Sequence, residues 1–380
     1  MIDLQSYHAL KAEVDNRIRQ DMRLLDDLRT EVQPLQSKIR QVQPRTTTSI
    51  SLVGTDGGNN RIQFDPFLVQ LVRVVDSSNN EYCLKAITPT TNVTALSREQ
   101  FDDHGAPATP LGKMMAFLGV QDLTQLSHMI RRNDDDRSSS PSWVQVYREL
   151  MEWAVIFTIL TDKEFGTDTI IVRDGLLRSK VFAGDLFNRL SQGFKEAIAD
   201  HKKKHRRTIY LVGLAKHSKV LDRYRLAMSL ENILTASYPC YTPIPRELER
   251  KAYVWAEYAR GDDVDTEGTE VNKFVAGKMF FVKFGSRSKD PVWPVDIFGP
   301  QEKEASTILG CLLSDALNGF PVPFYPMCLQ KAHENAALVD FDFDILQDSV
   351  LSGLRAALGA EAHSLDEYQL RDADPARRRY

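Results

Sequence analysis

Apolar side chains recur at Leu4, Tyr7, Leu10, Val14, Ile18, Met22, Leu25, Leu28, Val32, Leu35 and Ile39, in steps of three or four residues with a mean of 3.5. That period lays one apolar stripe along a helix that packs lengthwise against another surface. Pro34 falls inside the pattern and has no backbone N–H to give, so the helix is expected to kink or divide near Val32. The stripe fits equally an arm lying on its own domain and an arm that contacts another subunit.

Three runs with β character follow, Thr48 to Thr55, Phe67 to Val75 and Glu81 to Thr88, separated by Asp/Gly/Asn-rich and Ser/Asn-rich turns. They predict an antiparallel meander. From about residue 90 to 142 the pattern weakens and ends in Arg131-Arg132-Asn133-Asp134-Asp135-Asp136-Arg137-Ser138-Ser139-Ser140, which predicts an exposed, mobile insertion. Helical spacing returns at Val146, Leu150, Trp153, Ala154, Phe157 and Leu160. A short apolar strand, Thr169 to Val172, ends at Asp174-Gly175; a helix over about Gly184 to Lys204 leads to a second such strand, Thr208 to Leu214. Strand, helix and strand joined by short links predict parallel pairing with right-handed crossovers. Helices are expected around Ser218 to Ala236 and Pro245 to Tyr258, a strand at Lys278 to Phe284, then helices near Gln301 to Leu317, Met327 to Ala337 and Asp344 to Leu358. The polar tail after Ala360 is expected to fray. The predicted class is α/β, an RNase H-like mixed sheet flanked by helices with a long N-terminal helical arm.

Composition narrows this only a little. With 380 residues, 42% of them hydrophobic and 26% charged, the chain can bury a sizeable core. It has no apolar run long enough to span a membrane, and its first segment is a charged amphipathic helix rather than a secretory leader, so a cytoplasmic protein is expected. Cys83, Cys240, Cys311 and Cys328 lie far apart and without paired spacing, which predicts reduced, buried thiols. A formal net charge of -4 gives no global attraction to nucleic acid, so any such surface must be local. The basic run His201-Lys202-Lys203-Lys204-His205-Arg206-Arg207 is one candidate, with Lys202, Lys203, Lys204, Arg206 and Arg207 as the phosphate contacts. It fits equally a solvated helix end that complements the helix dipole.

The chemistry is expected where two apolar strands each end in Asp-Gly, at Asp56-Gly57 and at Asp174-Gly175. Taken singly, each motif also fits a plain turn. If the two strands are neighbours, however, the carboxylates face each other across one strand spacing, an arrangement that favours a divalent cation between them. The helix before Asp174 adds Glu149 and Glu152 on its polar side, and its phase puts Glu149 nearer the apolar border.

At this point the residues match a known family. The chain resembles the NurA nucleases, which act with the hexameric HerA translocase in processing DNA ends. The resemblance rests on Asp56-Gly57-Gly58 after the first strand, Ile170-Ile171-Val172-Arg173-Asp174-Gly175-Leu176-Leu177 after the central one, and Val212-Gly213-Leu214-Ala215-Lys216-His217-Ser218 after the next. It continues in Gly319-Phe320-Pro321-Val322-Pro323 and Leu329-Gln330-Lys331-Ala332-His333-Glu334-Asn335-Ala336. These blocks run in the family's order from Ile50 to Ala337. The polar stretch before Ser142 departs from it, being larger than a compact member would carry.

Carried over block by block, the resemblance implies Asp56 and Asp174 as strand carboxylates, Glu152 rather than Glu149 as the helical one, and Tyr325 and His333 as the late site residues. It divides the chain into an N-terminal arm (1–43), an RNase H-like nuclease domain (44–343) and a C-terminal helix with its tail (344–380). The activity it implies is metal-dependent hydrolysis of DNA phosphodiesters, as an exonuclease with single-strand endonuclease activity, in repair or defence against phage. The chain would act as a homodimer seated on a HerA-like hexameric ATPase.

Carboxylates with one imidazole suit Mn²⁺ or Mg²⁺, and the nitrogen ligand tilts the choice to Mn²⁺. Two ions are expected, with Asp56 shared, Asp174 and Glu152 binding one each, and His333 completing a shell or orienting the attacking water. Lys216, directly after a strand, is expected to hold the scissile phosphate, and Tyr325 to bond a phosphate or stack on a base. Trp293, Phe320 and Phe324 are candidates for base stacking, though core packing fits each better. The chain has no Gly-x-x-x-x-Gly-Lys-Ser/Thr loop, so a motor would be a separate partner. Two rival functions stand beside the nuclease: a silent RNase H-like adaptor docked on a translocase, and an enzyme acting on a nucleotide's phosphates.

Overall fold

Parallel strands need a crossover, and the apolar periods supply two of them. The computed structural model describes residues 3–45, 50–64, 67–133, 142–254, 274–337 and 340–363. In chain order the elements are α1 (Leu4–Val32), β1 (Arg40–Gln41), β2 (Ile50–Phe64), β3 (Phe67–Asp76), β4 (Glu81–Ile87), α2 (Val93–Arg98), α3 (Pro110–Leu118), α4 (Leu123–Leu126), α5 (Trp143–Asp162) and β5 (Asp168–Asp174). They continue with α6 (Leu186–Asp200), β6 (Ile209–Leu214), α7 (Lys219–Leu230), β7 (Cys240–Pro243), α8 (Arg246–Val254), β8 (Gly277–Lys283), β9 (Val292–Phe298), α9 (Ala305–Ala316), α10 (Met327–Ala336) and α11 (Asp340–Leu358). One nine-stranded sheet has the order β1-β7-β8-β9-β6-β5-β2-β3-β4. Its half β4-β3-β2-β5-β6, an antiparallel meander extended by two parallel strands, has the RNase H-like order. The fold class is therefore the expected α/β mixed sheet with flanking helices and an N-terminal helix.

Side chains alternate across each strand, so the sheet has two cores. Ile171 and Leu211 face α3, α5 and α6, where Trp153, Phe187 and Phe194 pack together. Ile170, Val172, Val212 and Leu214 face the other way, toward α9 and α10. A third cluster joins α7, α8 and the last turns of α1 through Val32, Leu35, Tyr224 and Phe281. The first turns of α1 leave that body: Leu4, Tyr7, Leu10, Val14, Ile18 and Met22 are all exposed. As the sequence predicts, α1 ends at Val32, where Pro34 opens a 3-10 turn. No described helix is long and apolar enough to cross a membrane.

Three expectations need correction. Asp56-Gly57 is not a turn: β2 runs on to Phe64, because β3 pairs with it continuously and supplies the hydrogen bonds that Gly57, Gly58 and Asn59 would not secure by propensity. The stretch from 90 to 142 is mostly folded, since Leu111, Met114, Met115, Leu118, Leu123 and Leu126 are buried beside α5. Of its polar end, Arg131 to Asn133 are exposed and 134–141 lie outside the described residues, as do 255–273 and the tail after 363. The central strand β9 was not anticipated because Pro294 interrupts its pattern; it pairs with β6 only through Val295, Asp296 and Ile297, so the missing N–H costs that ladder nothing.

One packing detail fixes the geometry of everything that follows. Helix α10 lies directly on the bare backbone of β2: a Cβ on Gly54 would come 2.4 Å from the Cys328 carbonyl oxygen, and one on Gly58 2.3 Å from that of Ala336. Four strand residues span about 13 Å and the eight helix residues between those contacts about 12 Å, so helix and strand run side by side in step. Gly54→Ala should therefore lift the start of α10 and destabilise the chain by about 1–3 kcal/mol. Urea denaturation reads this as a lower midpoint at the same slope; an unchanged midpoint would show that α10 does not depend on the bare strand.

Candidate metal centre

The parallel ladder between β2 and β5 ends at the pair Thr55↔Arg173. Asp56 and Asp174 occupy the next position on each strand, so they are register neighbours about 4.8 Å apart between strands. Alternation puts Asp56 on the face of Gly54 and Gly58, and Asp174 on that of Ile170 and Val172, both toward α10. His333 lies on α10 between its two contacts with β2, and its Nδ1 meets Asp56 Oδ2 at 2.7 Å. Asp56, Asp174 and His333 form a group whose ligand atoms all lie within 4.8 Å of one another.

Each carboxylate has its own cation. Asp56 Oδ1 also accepts the Gly57 N–H at 2.7 Å. Burial pushes the Asp56 pKa up, but the hydrogen bond and charge of His333, helped by Gly57 and Lys216, outweigh it and hold the group below the usual value. The Asp56 hydrogen bond correspondingly lifts His333 above 6.5, with burial opposing. Asp174 Oδ2 accepts from Lys216 Nζ at 3.2 Å, and its Oδ1 from the Tyr325 hydroxyl at 2.8 Å. Two carboxylates so close need that positive charge. The side chains of the two aspartates are 12% and 13% exposed, whereas that of His333 is 61% exposed, so the group opens to solvent past the imidazole. Oxygen donors with one imidazole, drawn together and open on one side, fit a divalent ion of the Mn²⁺ or Mg²⁺ kind.

Tyr325 is fully buried, with its ring edge-on to Trp293 at 5.0 Å and the Lys216 ammonium 5.2 Å from its centroid. No ring face is left for a base, so the stacking role expected of it falls away; the hydroxyl fixes Asp174 instead. Trp293 is buried as well, and Phe324 packs partly against the same core. Phe320 is the exception among the stacking candidates, 75% exposed on the loop leading to Tyr325. Gln330 clasps that loop, accepting from the Val322 N–H and donating to the Val322 and Tyr325 carbonyls.

Glu152 lies on the other face. Its carboxylate rests against the backbone of Gly57, where an added Cβ would come 2.5 Å from Oε1. Its Oε2 accepts from Arg173 Nη2 at 2.8 Å, and Arg148 Nε lies 3.4 Å from Oε1. Burial raises Glu152 to about 7 against the pull of Arg173 and Arg148, with the charge of Asp56 adding to the rise. Glu149 instead accepts from Ser179 Oγ at 2.6 Å. The structure therefore groups Asp56, Asp174 and His333, brings Lys216 and Tyr325 against them, and sets Glu152 behind Gly57. The partner of Glu152 went unrecognised in the sequence, although an arginine closing a run of apolar strand residues was the signal.

The basic run is elsewhere. Residues His201–His205 form a π-helical turn at the end of α6, followed by Arg206 and Arg207, just before the start of β6. Lys216 follows the other end of β6, so about 20 Å of strand separates the run from the carboxylates. Lys202, Lys203, Lys204 and Arg206 are exposed there, and Lys204 pairs with Asp200.

No family model matches the chain, and neither does any curated protein. Among solved structures, the NurA nuclease from Sulfolobus solfataricus is similar at 14% identity, covering 94% of this chain and 99% of that one with a TM-score of 0.47. NurA with manganese is similar at 12% identity over 91% of this chain and 98% of the other, TM-score 0.32. NurA bound to dAMP and manganese is similar at 11% identity over 86% and 94%, TM-score 0.31.

The Asp56–His333 pair makes stability depend on pH in both directions. The share carried by raised His333 is complete below its ordinary value of 6.5 and is lost as pH rises through its folded value. The share carried by lowered Asp56 is complete above the ordinary value of 3.8 and is lost as pH falls through its folded value. Imidazole resonances followed by NMR without metal should show His333 titrating above 6.5, and Asp56→Asn should bring it back toward that value. A His333 resonance indifferent to Asp56→Asn would break the pair.

Proposed function

We propose that the chain is a metal-dependent deoxyribonuclease of the NurA kind, hydrolysing phosphodiester bonds during DNA end processing. The observation that carries this is the grouping of Asp56, Asp174 and His333 where the parallel strands of an RNase H-like sheet stop pairing. Divalent ions held there, two in this proposal and Mn²⁺ before Mg²⁺, would supply charge relief for the phosphoryl oxygens and an activated water. Asp56 and Asp174 would hold the ions with their carboxylates and His333 with its imidazole or by orienting a water, while Glu152, set behind Gly57 and bonded to Arg173, would steady Asp56 from the other face.

The chain's other residues prepare that centre. Tyr325 donates to Asp174 Oδ1 and so fixes the carboxylate's rotamer from a buried, immobile position. Lys216 holds Asp174 Oδ2 from a flexible four-carbon stem, and is 36% exposed, placed to turn its ammonium onto a scissile phosphate. His333, open to solvent, gives or takes a proton where substrate enters. The exposed stripe of α1 is proposed as the contact with a second copy or with a HerA-like hexameric ATPase. Four free cysteines fit a cytoplasmic setting. The basic run is proposed as a remote DNA contact, away from the scissile bond.

Asp56→Ala and Asp174→Ala should each lower cleavage of labelled single- and double-stranded DNA by more than about 100-fold, since losing a ligand costs more than the 10–100-fold typical of the residues behind one. Far-UV circular dichroism should be nearly unchanged, and EDTA should silence the parent. Full activity in either variant, or a rate indifferent to EDTA, would end the proposal. A folded chain that cleaves nothing with Mn²⁺ or Mg²⁺, alone or with the ATPase, would leave the adaptor reading in its place.

A further inference from the structure

The residue before Asp174 is an arginine in a strand whose neighbours, Ile170, Ile171 and Val172, are wholly buried. Its side chain is 9% exposed and lies on the face opposite Asp174, beside α5. Nη1 donates to the Leu176 carbonyl at 2.9 Å, Nη2 donates to Glu152 Oε2 at 2.8 Å, and the guanidinium sits 4.5 Å from the centre of the Trp153 ring. The turn after Asp174 closes over it: a Cβ on Gly175, at φ +132°, would come 2.3 Å from Nη1.

Stability alone does not explain this residue. Arg173 Nε is buried with no hydrogen-bond partner, and apolar side chains in place of a buried ion pair are often neutral or stabilising. What Arg173 does is join two things that the centre needs held still. Glu152 rests on Gly57, one residue beyond Asp56, while Leu176 lies two residues beyond Asp174, where β2 and β5 no longer pair. A rigid guanidinium fork bonded to both ties the carboxylate-bearing segments of the two strands together from behind.

We infer that Arg173 is a positioning residue for the metal centre, fixing the Glu152 carboxylate against Gly57 and the turn after Asp174 in one grip. The inference rests on the proposed metal centre, but it touches neither ion nor substrate and acts through Glu152 and Leu176.

Mn²⁺ titration of the full chain, followed by the EPR signal of free Mn²⁺ alongside a thermal melt, tests it. Arg173→Gln should weaken Mn²⁺ binding about 10- to 100-fold, the range for a group that orients a ligand. Arg173→Lys keeps the charge but loses the fork, and should weaken it less; this variant carries the test if Arg173→Gln does not fold. The double variant Arg173→Gln/Glu152→Gln should lose clearly less than the product of the two single losses, because Arg173 and Glu152 share one interaction. Parent affinity in the folded Arg173 variants, or losses that multiply in the double variant, would overturn the inference. Asp56→Asn separates the two levels: if it loses Mn²⁺ while the Arg173 variants keep it, only the role of Arg173 fails, whereas Mn²⁺ binding indifferent to Asp56→Asn removes the centre itself.

Discussion

Two carboxylates at register-neighbouring positions of adjacent parallel strands repel each other, and much of the surrounding structure compensates for that repulsion. Asp56 is paired with His333, Asp174 with Lys216, and Glu152 behind them with Arg173. Each of these acids thus meets a basic side chain, and Glu152 a second in Arg148, so the centre can fold without an ion. Each base comes from a different element: His333 from α10, Lys216 from the turn after β6, Arg173 from β5 itself. The sheet order is what makes them converge, because β2, β5 and β6 run parallel and β5 and β6 end beside Asp56, where β2 runs on.

The convergence also depends on bare backbone. His333 reaches Asp56 only because α10 lies flat on β2, and α10 lies flat only because Gly54 and Gly58 present no side chain beneath its two ends. Tyr325 depends on the loop before α10, which Gln330 ties to that helix. Helix α10 and its entry loop thus carry two of the six expected site residues as one unit, and a shift of the helix would move both relative to the strands.

Much of this was legible in the chain. Apolar spacing located the parallel strands and α5, and the double Asp-Gly pattern led to Asp56 and Asp174, although the turn inferred at Asp56 is a continuing strand. What stayed hidden has physical causes. Strand β9 hid behind Pro294, which lies just outside the three positions that pair with β6, so its missing N–H takes no bond from that ladder. The helices of the 90–142 stretch hid because each is short, and a short helix shows too few periodic positions to register. The burial of Tyr325 and the Arg173–Glu152 pair depend on contacts between distant elements, which no local spacing encodes.

For the proposed nuclease, charge balance also bears on how an anionic substrate would meet an acidic centre in a chain with a net charge of -4. Without a divalent ion the acids occupy the bases beside them and leave a phosphodiester little free positive charge. A divalent ion taken up among the carboxylates would compete with the same bases for the same oxygens. An imidazole that binds a metal must be neutral, so His333 would give up the proton that its pairing with Asp56 favours, and Lys216 would be released from Asp174. Metal uptake would thereby add positive charge to the cluster, with a lysine freed beside it for phosphate. The exposed basic run is about 20 Å of strand away and cannot supply that local charge. In the proposed nuclease, affinity for DNA at the scissile bond would follow the ion, and the same side chains that let the centre fold would become those that receive the substrate.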